Sequence, residues 1–87
     1  MIADTYYYRG YTFHYMDEID NAIADYSKAI TINPKHAWAY LFRAHAYEDK
    51  GNYERAFSDY MKANEINPKI EEEYLGLFFE GSENIDD

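Results

Sequence analysis

A direct repeat of 34 residues constrains this chain more than any other feature of its sequence. The segments "DYSKAITINPK" (25–35) and "DYMKANEINPK" (59–69) align without an insertion, and the alignment extends over residues 3–36 and 37–70 with twelve identities. A fixed period of this length is typical of proteins built from stacked copies of one supersecondary unit. The chain of 87 residues is otherwise long enough for only one domain.

Each repeated unit has the pattern of two helices. In the second unit, apolar residues recur at helical spacing in "HAWAYLFRAHAYEDKG" (36–51), which stops at Gly51, a plausible helix terminator. The helical spacing resumes in "NYERAFSDYMKANEI" (52–66). Asn67-Pro68 ends the second helix, because proline cannot continue the hydrogen-bond ladder. The first unit predicts helices over about 3–16 and 19–32, closed by Asn33-Pro34.

Two departures from strict repetition concern a turn and the end of the chain. The first unit has Asp17 where the second has Gly51, so its inner turn must form without glycine. After Pro68, the segment "IEEEYLGLFFE" predicts a fifth helix with an acidic first turn, ending near Gly81. We expect Tyr74, Leu77 and Phe78 to cover the preceding helix, and "SENIDD" to be frayed.

The small and large residues of the two units follow the pattern of a known repeat family. Tyr6, Gly10 and Phe13 begin this pattern in the first unit. The sequence therefore resembles the tetratricopeptide repeat family over residues 3–70, with 71–81 resembling a single first helix. The arginines at positions 9 and 43 depart from the usual aliphatic residue. The remaining matches are Ala22, Tyr26, Ala29 and Pro34 in the first unit, and Tyr40, Ala44, Tyr47, Gly51, Ala56, Tyr60, Ala63 and Pro68 in the second.

This resemblance implies an all-α fold of five helices, in which antiparallel helix pairs stack into a right-handed superhelix. It divides a single domain (1–87) into repeat one (3–36), repeat two (37–70), a capping helix (71–81) and an acidic tail (82–87). Physical reasoning supports the division, because the small residues allow paired helices to approach closely while tyrosines fill the opposite volume.

The resemblance also implies a non-enzymatic module that binds a peptide or a helix of a partner protein in a concave groove. Steps of about 100° per residue independently place Tyr7, Tyr11, His14 and Tyr15 on one side of the first helix. Tyr8, like its counterpart Phe42, is predicted to pack at the boundary between units. The predicted groove residues are Tyr7, Tyr11, His14, Tyr15, Trp38, Leu41, His45, Glu48, Asp49 and Phe79, with Asp4, Glu72 and Leu75 beside them.

The groove predicts a ligand with apolar anchors and, if charged, basic residues. Members of the family that hold a terminal carboxylate use Lys and Asn side chains, and the matching positions here are Tyr7, Tyr11 and Phe42. The net charge is −9, and residues 70–87 hold seven acidic residues and no basic one. This balance argues against nucleic acid as a partner.

The sequence predicts neither catalysis nor a bound metal or other cofactor. Cysteine is absent, the serines have no triad context, and the four glycines are isolated. His14 and His45 have no metal-ligand spacing within one helix, so we interpret them as polar residues of the groove. No signal-peptide pattern or membrane-spanning run is present, and we expect a cytoplasmic protein.

Two alternatives remain beside the binding module. Solenoids usually need about three repeats, and this chain has two and a half, with apolar residues on both sides of its last helix. The chain could therefore be a structural unit that self-associates through an end, as a homodimer, or a fragment of a longer array.

Overall fold

The computed structural model describes the backbone of residues 1–83 and the side chains of residues 1–77. Within that part the chain forms helices and no strand, which confirms the predicted all-α solenoid. The helices are α1 (Ala3–Tyr15), α2 (Ile19–Ile32), α3 (Ala37–Asp49), α4 (Tyr53–Ile66) and α5 (Ile70–Glu83).

The ends of α2 and α4 have the same local structure. Asn33 and Asn67 have extended backbone conformations, and each side-chain oxygen accepts a hydrogen bond of 3.1 Å from the backbone N–H two residues later. These Asx turns provide a hydrogen bond to the backbone where the proline prevents another helical turn. The first helix of the second repeat, α3, then begins with an N-cap, because the His36 ring nitrogen accepts a hydrogen bond from the backbone N–H of Ala39.

The inner turns of the two repeats contain different residues but have the same backbone conformation. Gly51 has a φ of 81° and Asp17 has a φ of 63°, so both are left-handed. Aspartate tolerates this region better than most residues with a side chain, which explains how the first repeat turns without glycine.

The helices within each repeat pack closely because small residues lie opposite tyrosine. A Cβ atom added to Gly10 would lie 2.9 Å from the ring of Tyr26. Tyr26 itself is fully buried, as are Ala22 and Ala29 on the same helix. Gly10 is therefore a point of close contact between α1 and α2.

The two arginines that depart from the family pattern each pair with a buried aspartate on the second helix of their own repeat. Arg9 donates two hydrogen bonds to Asp25, at 2.6 and 2.9 Å, and Arg43 donates two to Asp59, at 2.7 and 2.8 Å. Each pair is bidentate, the geometry in which arginine and carboxylate bind most strongly. Since all four residues are among the twelve identities, the pair is a repeated feature of the fold.

The fifth helix differs from its prediction in extent and in packing. It begins at Ile70 and continues past Gly81 to Glu83. Ile70 is buried, but Phe57 and Met61 on α4 remain 65% and 55% exposed. Leu77 is 68% exposed, so it does not cover α4 as expected. Phe78 lies outside the described side chains, as residues 84–87 of the predicted tail lie outside the described backbone.

The ring contacts that α5 makes with α3 also differ in spacing from those that α3 makes with α1. Phe42 contacts the ring of Tyr11 in the preceding first helix, and Tyr74 contacts the ring of His45, the residue equivalent to Tyr11. Tyr74 therefore has the position relative to α3 that Phe42 has relative to α1. It follows Phe42 by 32 residues instead of 34, although Ile70 packs with Leu41 as His36 packs with Tyr7, at the 34-residue spacing.

Candidate functional site

An aromatic cavity of about 430 Å³ extends across the three first helices, α1, α3 and α5. Every residue in its wall is apolar or aromatic, so the cavity can bind a ligand through apolar and ring contacts. We call it the aromatic cavity. Its lining residues are Tyr7, Tyr8, Tyr11, Trp38, Phe42, Tyr74 and Leu77.

Phe42 lies at the centre of this cavity and contacts four other rings of its wall. Tyr11 and Tyr74 meet it nearly edge-on, with interplanar angles of 89° and 72° and centroid distances of 5.6 and 5.9 Å. Trp38 lies almost parallel to it at 6.1 Å, and Tyr7 is tilted at 5.8 Å. Such arrangements fix the rings relative to one another, and each favourable pair contributes about 0.5–1.5 kcal/mol beyond the buried area.

A second cavity of about 280 Å³ adjoins the first and is more polar. It shares Tyr11, Phe42 and Tyr74 with the aromatic cavity, so the two form one continuous groove. We call it the histidine cavity, and the two together the groove. The residues that line the histidine cavity but not the aromatic cavity are His14, Tyr15, His45 and Asp49.

Two histidine–carboxylate pairs connect α1 to α3 beside the groove. His14 Nε2 lies 2.6 Å from Asp49 Oδ2 at the C-terminal ends of these helices. His36 Nε2 lies 2.8 Å from Asp4 Oδ1 at their N-terminal ends. The pairs hold the two first helices side by side at both ends, which sets the width of the groove between them.

His45 is held neutral at the floor of the histidine cavity. Burial lowers its pKa, an effect that outweighs the opposing charges of Glu48 and Asp49. Tyr60 donates a hydrogen bond of 2.5 Å to Glu48, and its oxygen lies 3.3 Å from His45 Nδ1. Since the Tyr60 proton faces Glu48, the imidazole proton belongs on Nδ1. This leaves Nε2 as a buried acceptor without a hydrogen-bond partner in the described part of the chain.

The hydroxyl of Tyr7 in the aromatic cavity remains protonated and can donate a hydrogen bond. Burial raises the pKa of Tyr7, and the neighbouring Tyr8, Tyr11 and Asp4 raise it further. Burial also raises the pKa of Tyr60, which lies outside the groove, together with its hydrogen bond to Glu48. The groove therefore combines apolar ring faces with phenolic donors.

The structure brings most of the predicted groove residues together. Tyr7, Tyr11 and Trp38 line the aromatic cavity, and Tyr15 stands at the edge of the histidine cavity with 86% of its surface exposed. Glu48 is exposed beside His45 without lining this groove. The remaining members of the predicted set that line the groove are His14, His45 and Asp49.

Leu41 is a correction to that set. It is only 2% exposed and packs with Ala37, Ala63 and Ile70, because α5 begins early enough for Ile70 to cover it. A ligand in the groove cannot make substantial contact with it. The side chain of Phe79 lies outside the described residues.

Four groove residues were not predicted there. Tyr8, expected at the boundary between units, is 64% exposed and lines the aromatic cavity with Phe42, Tyr74 and Leu77. Two of them had a signal in the sequence, because Tyr8 lies three residues before Tyr11 and Phe42 four residues after Trp38. Tyr74 and Leu77 had none, since their positions depend on how α5 packs against α3.

A separate apolar cleft of about 460 Å³ opens between α3, α4 and α5. Phe57, Met61 and Leu75 stand on its rim, and all three are about half exposed or more. The cleft exists because α5 covers α4 less completely than α3 covers α2. We call it the α4–α5 cleft.

The described residues have neither a metal-binding cluster nor a helix suited to crossing a membrane. They contain no group of three or more His, Cys, Asp or Glu side chains arranged to hold a metal ion. Within the same residues, no helix combines the length and the apolar character that a bilayer crossing requires.

Comparison with known proteins agrees with the repeat boundaries. Two models described as "Tetratricopeptide repeat" match residues 3–36 and 39–70. A search of curated proteins found no match. The two family matches together span most of the chain and coincide with the two helix pairs.

Among solved structures, the crystal structure of MamA superposes with a TM-score of 0.80 at 31% identity, over 93% of this chain and 48% of that chain. A second MamA crystal structure gives 0.70 at 40% identity, over 77% and 37% of the respective chains. The chain thus spans about half or less of the length of these structures. With two matched repeats in this fold, the chain belongs to the tetratricopeptide repeat family, whose repeats generally serve as protein-interaction modules.

Proposed function

We propose that this protein is a non-enzymatic interaction module that binds a segment of a partner protein in the groove. The observation that carries the proposal is the aromatic cavity, which three helices build from seven apolar and aromatic side chains and leave open to solvent. Structural filling of the core does not require these side chains to be exposed, so the exposed surface is better explained by a ligand.

The exposure of the cavity residues supports a binding role. Tyr8, Tyr11 and Leu77 are 64%, 47% and 68% exposed, and they form one continuous apolar surface with Trp38. Soluble proteins tend to avoid such surfaces unless they mark an interaction site. Tyrosine and tryptophan are also enriched among the residues that contribute most to binding energy at interfaces.

The charges around the groove favour a partner segment with apolar anchors and basic residues. Asp49 lines the histidine cavity, Glu48 is exposed beside it, and Asp4 lies at the opposite end near Tyr7. Neither cavity has an arginine or lysine in its wall. A segment of this chemistry would match the groove in both shape and charge.

Selection from a random peptide library displayed on phage tests the proposal directly. The wild-type protein is the bait, and enriched peptides are synthesised and titrated by isothermal calorimetry. We expect the enriched peptides to carry apolar residues and a net positive charge. Their affinity should fall at least about tenfold in a Tyr11→Ala, Trp38→Ala double variant, since hot-spot truncations typically cost about 2 kcal/mol or more.

A Tyr53→Ala variant is the matched control. Tyr53 is 68% exposed and lies on α4, outside both cavities of the groove. Peptides that bind all three proteins equally, or that are acidic and insensitive to the double variant, would show that the groove is not the binding surface.

Self-association is a second candidate function, favoured by the α4–α5 cleft. Its rim residues Phe57, Met61 and Leu75 form an apolar surface that a second copy of the chain could cover. Light scattering across a hundredfold concentration range would then detect a dimer, and Phe57→Glu should restore the monomer mass. A monomer at every concentration contradicts this candidate and leaves the groove proposal intact.

A further inference from the structure

We infer that the aromatic cavity is a subsite for an arginine side chain of the partner, held by cation–π contacts. This inference rests on the proposed function and specifies the chemistry of its central anchor. It makes a charged guanidinium, instead of an apolar side chain, the group that enters the ring of aromatic residues around Phe42.

The chain itself shows the preference of its tyrosines for cations. Five cation–π contacts, with cation-to-centroid distances of 5.4–5.9 Å, occur in the described part of the chain. All of them fall on Tyr6, Tyr40 or Tyr47, which lie outside the groove. Four of the five involve arginine. Each of these outer tyrosines therefore has a cation of the chain over its ring.

Three rings of the aromatic cavity, those of Tyr7, Tyr11 and Trp38, have no such cation. In the described residues, which include every arginine and lysine of the sequence, no cation lies over Tyr7, Tyr11 or Trp38. Arg9 and Arg43, the basic residues on α1 and α3, are instead bound to Asp25 and Asp59. Tyr7, Tyr11 and Trp38 thus offer an incoming cation aromatic rings, with their negative quadrupole, over which no arginine or lysine of the chain lies.

The ring geometry suits a planar cation. Phe42 forms the floor, while Tyr11 and Tyr74 stand nearly perpendicular to it at 5.6 and 5.9 Å between centroids. A group that enters beside these rings meets aromatic surfaces on more than one side. Arginine fits better than lysine, because guanidinium is planar, more weakly hydrated and able to stack on ring faces.

The surrounding charge reinforces this choice. Carboxylates flank the groove at both ends, with Asp4 near Tyr7 and Asp49 in the adjoining histidine cavity. The protein as a whole carries a net charge of −9. The negative potential of these charges would attract an arginine as it approaches and would stabilise it once it is bound in the cavity.

Trp38 provides the readout for a direct test, because it is the only tryptophan in the chain and lines the cavity. The full chain is titrated with acetyl-Ala-Leu-Arg-Leu-Ala-amide while Trp38 fluorescence is recorded. A matched peptide contains citrulline, which keeps the shape of arginine without its charge. We expect the arginine peptide to bind about tenfold more tightly, as a desolvated cation–π contact predicts, and this advantage to shrink as salt is added.

Two substitutions test whether the preference for arginine over citrulline arises in the aromatic cavity. Tyr8→Leu changes a residue that is 64% exposed, so it preserves the fold while removing one ring from the cavity wall. Tyr11→Leu removes a ring that contacts Phe42. Both should reduce the preference for arginine over citrulline, whereas Tyr53→Leu on α4 should leave it unchanged.

Equal binding of the two peptides would overturn the arginine subsite while leaving the proposed function in place, since the groove would then bind by apolar contacts alone. Binding of neither peptide at millimolar concentration would also overturn the subsite. In that case the phage selection decides the proposed function independently. A preference for arginine that persists in both cavity variants would place the cation elsewhere on the molecule.

Discussion

At the scale of single residues, Gly10 is the position where the fold tolerates least change. An added Cβ would meet the buried ring of Tyr26 at 2.9 Å and the backbone oxygen of Ala22 at 3.2 Å. Neither group can move freely, because Tyr26 is enclosed by α1, α2 and α3 and the oxygen belongs to a helix. The close contact between α1 and α2 therefore depends on the absence of a side chain here.

We accordingly expect Gly10→Ala to lower the free energy of unfolding by about 2 kcal/mol, despite the better helix propensity of alanine, because overpacking costs about 1–3 kcal/mol. Urea denaturation followed by circular dichroism measures the change. Gly76→Ala is the matched control. Gly76 is also helical, but nothing lies within 4 Å of its added Cβ, so this variant should be neutral or slightly stabilised. Equal effects at both sites would contradict the packing argument.

Asp17 is a second residue whose backbone conformation limits substitution. Its φ of 63° is costly for any residue with a side chain, whereas the equivalent Gly51 adopts 81° without strain. We expect Asp17→Gly to raise the free energy of unfolding by up to about 1 kcal/mol and Asp17→Val to lower it by more than 1 kcal/mol. If the turn geometry governs this site, thermal and urea denaturation should show that the two variants change the free energy of unfolding in opposite directions. A shared sign would exclude that explanation.

At the scale of helices, the Arg43–Asp59 pair joins α3 to α4 under stronger burial than its counterpart in the first repeat. The side chain of Arg43 is 20% exposed, against 47% for Arg9. Burial lowers the pKa of Arg43, but its hydrogen bonds to Asp59 and the charge of Asp59 outweigh that effect, so the pKa is raised overall. Arg43 also donates to Ser27 at 3.1 Å, which links the pair to α2.

Removing one partner of this pair should therefore lower the stability of the fold substantially. We expect Asp59→Ala to lower the free energy of unfolding by about 3 kcal/mol, since it leaves a largely buried guanidinium without its carboxylate. Asp25→Ala should cost less, because water can reach Arg9 in the first repeat. The two variants are compared by urea denaturation at the same pH and salt concentration. A larger loss for Asp25→Ala would contradict the difference in burial.

The helices also show how far the sequence determines the fold. The 34-residue period correctly placed α1 to α4, because the same alanines, tyrosines and proline recur in both units and dictate the same packing. The Arg–Asp pairs were not predicted, although their four residues are repeated, since a contact between two helices is not encoded in the spacing along either one.

The prediction was least accurate for α5 and for the groove residues that depend on it. Extending the 34-residue period to α5 predicted the helix but not its packing, because Ile70 packs with Leu41 and Tyr74 lies beside His45 on α3. Leu41 is consequently buried under Ile70 instead of facing the groove. Tyr11, His14 and Trp38 were placed correctly on the groove side because their positions follow from helical geometry within α1 and α3 alone.

At the scale of the whole molecule, the two repeats are joined by contacts that cross from α1 and α2 to α3. The apolar part consists of Ala39 and Ala46, which are fully buried against the first repeat. The polar part includes the His14–Asp49 pair and an exposed Lys50–Asp20 ion pair. Exposed pairs of this kind contribute little, so the buried alanines and the rings around Phe42 carry most of the coupling that makes the repeats one cooperative unit.

That cooperative unit should lose stability in mildly acidic solution because of His45. Burial lowers the pKa of this residue in the folded protein below its ordinary value of 6.5, so the unfolded chain binds the proton more tightly. The contribution of the neutral imidazole is complete above pH 6.5 and is lost progressively as the pH falls toward the folded-state pKa. We expect the free energy of unfolding of the wild type to decrease between pH 7.5 and 5.

A His45→Gln variant separates this effect from the other titrating groups. Its free energy of unfolding is measured by urea denaturation at the same pH values and subtracted from that of the wild type. The difference should be constant above pH 6.5 and should shift in favour of the variant below it, because glutamine cannot be protonated. His36→Gln, at the opposite end of the groove, should retain the wild-type acid loss due to His45. If the wild type and His45→Gln lose stability in parallel down to pH 5, His45 does not remain neutral in the fold, and the buried Nε2 must have a hydrogen-bond partner.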